Sequence, residues 1–305
     1  MLASSQNWNE ELAQQIISFP DVNLNAKCEK TKGRSLLHAA CEFSSISIVK
    51  MLLGKSEAFD INSKDEVKQM APLHYICMNG NVKLVQLFIE FENEQPNVID
   101  WDIQNENGMT PLHLCARSKN TEIVQMLLET GKCNVNAIAT GEFEKGRTSL
   151  SFACEKGAED IARLLLKQDD IDLESRAQGL HQKGMTALHY ACKSSNINVV
   201  KLMLDHGGFD VNKRASGKSC LFLACKHNRI EIVKLLLKYD NIDYNIKSNR
   251  GLTPLMIACE NGRTQIVEML LQLRRIDKTS LTSDGQSAIS MAKNETIRNL
   301  FKKYA

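Results

Sequence analysis

The feature of this chain that most constrains its fold is a motif that recurs seven times along 305 residues. Each copy is a short apolar run with one aligned leucine, namely Leu37, Leu73, Leu112, Leu150, Leu188, Leu221 and Leu255, at intervals of 33 to 39 residues. A second apolar run such as "IVKMLL" or "IVKLLL" follows, and a signature such as "FDVN" or "IDYN" closes the unit. Self-similarity at this period predicts a stack of repeated units, each of which buries its apolar face against its neighbours.

Each unit is predicted to contain two helices, a turn between them and an extended loop. In the second run, Ile232, Leu235 and Leu236 follow the i, i+3, i+4 spacing of one buried helical face. A threonine or serine can cap the short first helix, and proline suits its first turn. The turn carries residues that tolerate a left-handed backbone in four copies, Gly80, Gly157, Gly262 and Asn228, whereas Lys119 is a weaker fit.

The pattern resembles the ankyrin repeat family, most fully in "NGMTPLHLCARSKNTEIVQMLLETGKCNVNA". The family motif continues from Gly-x-Thr-Pro-Leu-His through a Gly turn and "IVxxLL" to an Asp-Val-Asn-like hairpin. The resemblance implies an all-α, ankyrin-repeat solenoid of stacked helix-turn-helix units with short β-hairpin fingers. It also implies that a partner protein binds through the concave groove and the fingers.

Aligning the copies of the motif with one another also predicts the domain organisation. Residues 1–32 form an N-terminal capping helix and hairpin, because 12–25 aligns without gaps on 232–245. Seven full repeats occupy 33–281, and residues 282–305 form a C-terminal capping repeat that keeps the glycine and the helix pair. The repeats span approximately 33–68, 69–107, 108–145, 146–183, 184–216, 217–250 and 251–281. Residues 1–7 are expected to be loose.

Composition narrows the class of protein further. The net charge of +2 gives no global attraction to nucleic acid or membranes. No apolar stretch approaches the roughly 20 residues of a membrane helix, and the first residues do not resemble a signal peptide. Ten cysteines without such a signal suggest a reducing compartment. We therefore expect a monomer in the cytoplasm or nucleus, without membrane insertion.

The stretch "ALHYAC" places His189 and Cys192 three residues apart, which could serve zinc binding, thiol chemistry or packing. Packing is preferred, because equivalent residues recur one repeat apart, too far for a disulfide or a shared metal. The cysteines of this position are Cys41, Cys77, Cys154, Cys192, Cys225 and Cys259, with Cys115 one residue earlier. The resemblance implies that His38, His74, His113 and His189 bond near the helix start and join neighbouring repeats. No cofactor, metal or catalytic residue is predicted.

Candidate binding residues are those that vary between copies. In each copy, one set is the pair of residues that follows the small residues of the first helix. The other set is the single residue that lies between the glycine and the Thr or Ser of the motif. The resemblance implies that both sets face the groove. The uneven distribution of charge indicates which of these residues bind a partner. Residues 213–250 carry a local net charge of +6, whereas residues 90–107 carry six acids without Lys or Arg. The predicted partner contacts are Met109, Arg117, Arg147, Lys156, Met185, Lys193, Lys218, Lys226, His227 and Arg250.

Three classes of function compete. The favoured one is a non-catalytic protein-interaction scaffold or adaptor whose basic stripe takes a partner protein's acidic segment. The second is binding of nucleic acid or another acidic ligand by the same stripe, for which a steep salt dependence would be diagnostic. A cryptic enzyme is the third, and it lacks a convergent nucleophile, base and oxyanion donor. A solvated basic surface without a ligand and contacts through the longer fingers at 64–69, 139–145 and 176–183 also stay open.

Overall fold

A computed structural model describes residues 10–19, 21–29, 32–55, 59–179 and 182–304. Residues 1–7, expected to be loose, and His181 lie outside this range. The described chain is helical and has no β-strand. The inner helices are α2 Leu36–Glu42, α4 Pro72–Asn79, α6 Pro111–Ser118, α8 Ser149–Lys156, α10 Ala187–Lys193, α12 Cys220–Lys226 and α14 Pro254–Glu260. The outer helices are α1 Glu10–Ser18, α3 Ile46–Leu53, α5 Val82–Glu94, α7 Thr121–Glu129, α9 Glu159–Leu165, α11 Ile197–His206, α13 Ile230–Leu236, α15 Thr264–Leu271 and α16 Glu295–Lys303.

The helices are distributed over two compact units. Unit 1 comprises residues 1–149 and 167–171, and unit 2 comprises 150–166 and 172–305. In unit 1 the inner helices α2, α4 and α6 pack in sequence, and the outer helices α1, α3, α5 and α7 form a second row. In unit 2 the inner row includes α10, α12 and α14, and the outer row runs from α9 through α11, α13 and α15 to α16. Each unit is thus a two-layered stack of helix pairs, as predicted.

The aligned leucines and the recurring cysteines form the core of this stack. Leu112, Leu150, Leu221 and Leu255 have no exposed surface, and neither have the cysteines of the recurring position. A cysteine there packs as a small apolar residue against the next repeat. All ten cysteines are free thiols, and Cys133, which lies outside the recurring position, is half-buried. Burial raises the pKa of Cys259 to about 12, which keeps its thiol protonated and unreactive.

The recurring histidines join consecutive repeats, as the family resemblance implied. Nδ1 of each accepts the backbone N–H three residues earlier, which leaves the hydrogen on Nε2. Nε2–H of His38, His74 and His189 then donates to the carbonyl of Met70, Met109 and Lys213, each at 3.0 Å in the following finger. Burial lowers the pKa of His74, His113 and His189 to about 4. These imidazoles are therefore neutral structural links at pH 7.

A second link recurs at the final asparagine of the "DVN"-like signature. Asn212 donates from Nδ2 to the carbonyl of Asn241 at 2.6 Å and accepts the N–H of Asp243 at 2.8 Å. Asn62 makes the same pair of bonds to Val98 and Asp100. The amide therefore completes the backbone hydrogen bonding of the next loop.

Two structural expectations need correction. The fingers are tight turns with isolated bridges rather than strands; the bridges in the described chain are Cys28–Arg34, Ala215–Lys218 and Leu281–Ser287. The C-terminal cap lacks the first of its two expected α-helices, and residues 288–291 form only a turn. Ser290 donates from Oγ to the carbonyl of Ser287 at 2.9 Å, and such local side-chain bonds compete with helix formation.

None of the described helices has the length and apolarity that crossing a lipid bilayer requires.

Candidate functional site

The two sets of variable positions differ in exposure. Each residue of the pair that follows the small residues is exposed or half-buried, and none is buried, from Glu42 and Phe43 in α2 and its cap to Glu260 and Asn261 in α14 and its cap. This is what an inner helix requires, because its apolar positions contact neighbouring inner helices and its last turn ends at solvent. The predicted outward orientation of this set is confirmed.

The second set was expected to face outward as well, and for four of its members this is wrong. One is Leu252, which is 5% exposed, and the other three are predicted partner contacts. Met109, Arg147 and Met185 are only 2%, 1% and 7% exposed. Their backbone carbonyls accept hydrogen bonds from Asn105, Ala139 and Ala177 within their own fingers. These bonds hold the backbone of each residue inside its finger, and the surrounding residues cover its side chain. Arg147 is further engaged by an ion pair with Glu144 at 2.6 Å.

Five of the six basic or histidine candidates of unit 2 surround two adjoining cavities, of about 520 Å³ and 190 Å³. Lys218, Lys226 and Ser216 line both of them. The smaller cavity adds Lys193, His227 and Met185, and the larger adds Arg250. We call this surface the basic groove, defined by Met185, Lys193, Ser216, Lys218, Lys226, His227 and Arg250.

The fold positions these side chains through close contacts between repeats. Gly217 has φ +78°, and a Cβ there would lie 2.4 Å from the backbone nitrogen of Asn249 in the next finger. Only glycine fits, so the fingers that carry Lys218 and Arg250 pack directly on each other. Arg229 donates from Nε to the carbonyl of Lys193 at 3.0 Å and ties the start of α13 to the end of α10.

The cations of the basic groove are not neutralised by the protein. Lys193, Lys218, Lys226 and Arg250 form no ion pair with any described residue. Burial, together with the charge of Lys226, lowers the pKa of Lys218. Burial also lowers the pKa of His227, and nearby cations add to the effect, from Lys193, Lys226, Arg229 and Arg263. Four cations and one carboxylate, that of Glu260, therefore line the groove, and its net charge is positive.

Apolar and polar groups complete the walls of the groove. Phe222, Leu252 and Ile257 line the larger cavity, and Leu223 lines the smaller one. Ser216, Ser248 and Asn249 supply uncharged hydrogen-bonding groups. Apolar walls with a few convergent polar groups are typical of ligand-binding pockets.

Besides the buried Met109 and Arg147, two further predicted contacts lie outside the groove. Lys156 is an exposed residue at the end of α8, and it does not line either cavity. Arg117, in unit 1, is exposed at the end of α6 and directs Nη1 toward Sδ of Met109 at 3.8 Å. The structure therefore brings together four cations of the predicted basic stripe, Lys193, Lys218, Lys226 and Arg250, and places the predicted contact His227 beside them.

Within the described ranges, no group of three or more His, Cys, Asp or Glu side chains is arranged to hold a metal ion.

Comparison with known proteins agrees with the fold. The family model described as "Ankyrin repeats (3 copies)" matches residues 1–100, 73–177 and 173–248, and that described as "Ankyrin repeats (many copies)" matches 236–292. The chain belongs to the ankyrin repeat family, whose domains generally mediate contacts between proteins. No curated protein sequence matches the chain.

Two solved structures illustrate the likeness. The ankyrin repeat domain of Bcl-3, described as a unique member of the IkappaB protein family, is 26% identical with a TM-score of 0.62, covering 77% of this chain and 99% of that one. The human ASB11 ankyrin repeat domain is 19% identical with a TM-score of 0.63, covering 77% of this chain and 98% of that one. The second likeness concerns the fold alone.

Proposed function

We propose that this protein is a non-catalytic interaction scaffold or adaptor that holds an acidic segment of a partner protein in the basic groove of unit 2. In this proposal the chain acts as a monomer in the cytoplasm or the nucleus. The observation that carries the proposal is the set of four cations without ion-pair partners in the described chain, Lys193, Lys218, Lys226 and Arg250, around two joined cavities.

The energetics of the groove support an anionic occupant. A cation that is partly desolvated beside a second cation is unfavourable, as the lowered pKa of Lys218 indicates. Carboxylates of a bound segment would relieve this repulsion and form charge-assisted hydrogen bonds. The charges of the groove would accelerate encounter with such a segment.

A protein segment is favoured over nucleic acid by the shape and chemistry of the groove. The cavities combine apolar walls with hydroxyl and amide groups, which suit side chains of mixed character. Binding of nucleic acid relies on a series of phosphate contacts along a positively charged surface. The net charge of the whole chain is only +2.

The proposal can be tested with a fluorescent oligoglutamate peptide, an oligoglutamine peptide of equal length and a short DNA duplex. We expect saturable binding of oligoglutamate that weakens between about 50 and 200 mM salt, and no comparable binding of oligoglutamine. The variant Lys193→Glu/Lys226→Glu should weaken binding of oligoglutamate at least about tenfold, because it reverses the local charge.

The matched control is Lys201→Glu/Lys238→Glu, which reverses two exposed charges on α11 and immediately after α13. Both double variants change the net charge equally, so a general charge effect would weaken both alike. Equal losses for the two variants would contradict the proposed site. Tighter binding of the duplex than of oligoglutamate would favour the nucleic-acid interpretation.

A further inference from the structure

A separate cavity of about 410 Å³ lies in unit 1, between the last turns of the outer helices α5 and α7. Its apolar wall is formed by Ile89, Met126 and the ring of Trp101. Its polar wall includes Gln86, Asn93 and Glu129. Its size falls in the range of ligand-binding pockets, and it lies on the outer-helix row rather than among the inner helices.

The cavity exists because α5 is longer than the other outer helices that connect to a following finger. It has 13 residues, whereas α3, α7, α9, α11, α13 and α15 have between 7 and 10. The extension places Glu92 where the chain turns back toward Trp101. The Glu92 carboxylate accepts the N–H of Asn97 at 2.7 Å and that of Ile99 at 2.9 Å. These bonds fix the returning chain, and with it the tryptophan, beside α7.

The charges of the cavity favour a cation. Glu92 is 3% exposed and pairs with Lys132, so the lysine that lines the cavity is already neutralised. Glu129 is exposed, and its carboxylate accepts a hydrogen bond from Gln125 on the same helix at 2.8 Å. The neighbouring residues 90–107 carry six acids without Lys or Arg. An arriving cation therefore meets one available carboxylate in an acidic surrounding.

Trp101 provides the second, independent observation. Its side chain is 3% exposed, and in the described chain its indole N–H has no hydrogen-bond acceptor. A buried donor without an acceptor is unfavourable and uncommon in folded proteins. The ring lines a cavity that a peptide could enter, and a peptide carbonyl would supply the missing acceptor.

We propose that this cavity binds an arginine side chain from an exposed segment of a partner protein, independently of the basic groove. The guanidinium forms an ion pair with Glu129 and hydrogen bonds with the amide oxygens of Gln86 and Asn93. The aliphatic stem of the arginine packs on Ile89 and Met126. Arginine is favoured over lysine because its planar group presents several donors at once, which suits one carboxylate and two amide oxygens. The chain then carries two binding sites of opposite charge, one in each unit.

The test uses the full chain with Trp8→Phe, in which Trp101 is the only tryptophan. The probe is N-acetyl-arginine N-methylamide, which mimics an arginine within a peptide, and the matched probe is the corresponding citrulline compound, which is similar in shape but uncharged. We expect a saturable change of Trp101 fluorescence with the arginine compound. The citrulline compound should bind at least about tenfold more weakly, because it cannot form the ion pair.

Two variants on the same helix locate the site. Glu129→Gln should weaken binding of the arginine probe about tenfold, whereas Glu122→Gln, an exposed acid of α7 that does not line the cavity, should change it by less than about twofold. Lys193→Glu/Lys226→Glu should leave this binding unchanged, which separates the result from that of the basic groove. Equal binding of both probes, no saturation, or equal effects of Glu129→Gln and Glu122→Gln would each overturn the proposal.

Discussion

Charged residues serve different purposes in the two units. In unit 1, Glu92 is buried, pairs with Lys132 and accepts two backbone N–H groups. In unit 2, Lys218 and Lys226 share a groove and form no ion pair with the described residues. A buried charge that is fully partnered stabilises one local structure, whereas clustered charges without partners destabilise it slightly. The difference indicates which charges maintain the fold and which are available to a ligand.

The inner helices of the two units also differ in how many buried histidines they carry. Unit 1 has His38, His74 and His113 at the recurring position, and each is buried. Unit 2 has His189 there, while Phe222 and Met256 replace the imidazole in α12 and α14. Both kinds of residue fill the position, but only the imidazole can be protonated. The units should therefore respond differently to acid.

The largest expected effect is acid destabilisation of unit 1 relative to unit 2. Burial lowers the pKa of His74 and His113 to about 4, against about 6.5 in an unfolded chain. Stability from these groups is complete above pH 6.5 and falls as the pH drops toward 4, because the unfolded chain binds protons first. Each histidine should cost about 2 kcal/mol between pH 7 and pH 5. Hydrogen exchange, corrected for its intrinsic pH dependence, should show α4 and α6 losing more protection than α12 and α14.

The control for this experiment is His206→Gln, because His206 is exposed on α11 and does not occupy the recurring position. In this variant, α4 and α6 should still lose more protection than α12 and α14. Equal loss of protection in both groups of helices would show that the buried imidazoles do not distinguish the units.

Glu92→Ala should have the next largest effect, a loss of about 3 kcal/mol in the free energy of unfolding. The change removes the ion pair with Lys132 and leaves the N–H groups of Asn97 and Ile99 without their acceptor. Urea denaturation would measure it. Glu94→Ala, an exposed acid in the same helix, is the matched control and should change stability by less than about 0.5 kcal/mol. Similar values for the two variants would contradict the structural role of Glu92.

Replacing the asparagine of the loop signature should affect both units equally. Asn62→Ala in unit 1 and Asn212→Ala in unit 2 each remove two hydrogen bonds to the following loop. Each should cost about 1–2 kcal/mol by urea denaturation. A large difference between the two variants would mean that the units differ in their repeated hydrogen bonds as well as in their charged residues.

The smallest expected effect is a slight stabilisation by Lys226→Gln. Removing this charge relieves repulsion at Lys218, and exposed charges contribute little, so the gain should not exceed about 0.5 kcal/mol. Lys132→Gln, which removes the partner of Glu92, should instead lower stability. Paired thermal unfolding curves measure both changes. A loss for Lys226→Gln as large as that for Lys132→Gln would mean that this lysine maintains the fold.

The repeat frame could be predicted from the sequence because its residues recur at equivalent positions. The histidines, cysteines and leucines of "ALHYAC"-like segments lie where their period places them, and the turn residues adopt the predicted left-handed backbone. Even Lys119, the weaker fit, has φ +63°. A chemical constraint that is repeated seven times leaves a pattern that can be read without coordinates.

The binding surface could be predicted only in part. Variation between copies identified Lys193, Lys226 and His227, but it also selected Met109 and Arg147, which vary and are buried. The burial of a side chain in one finger depends on how the neighbouring finger packs against it. The spacing of residues in the sequence does not predict this packing. The burial of Glu92 was missed for a related reason, because it lies within an acidic stretch that resembles a solvated surface. Only the extra length of that segment signalled an unusual local structure.

Site-specific cross-linking tests the central claim most directly. A photoreactive amino acid placed at Ser216, an exposed residue that lines both cavities of the basic groove, would be activated in the native cell and compared with one at Lys238. Mass spectrometry of the cross-linked peptides should identify a protein segment rich in Asp and Glu from the Ser216 position and little from the Lys238 position. Stronger cross-linking at Lys238, or a neutral or basic segment at Ser216, would contradict the assignment of the basic groove as the docking site.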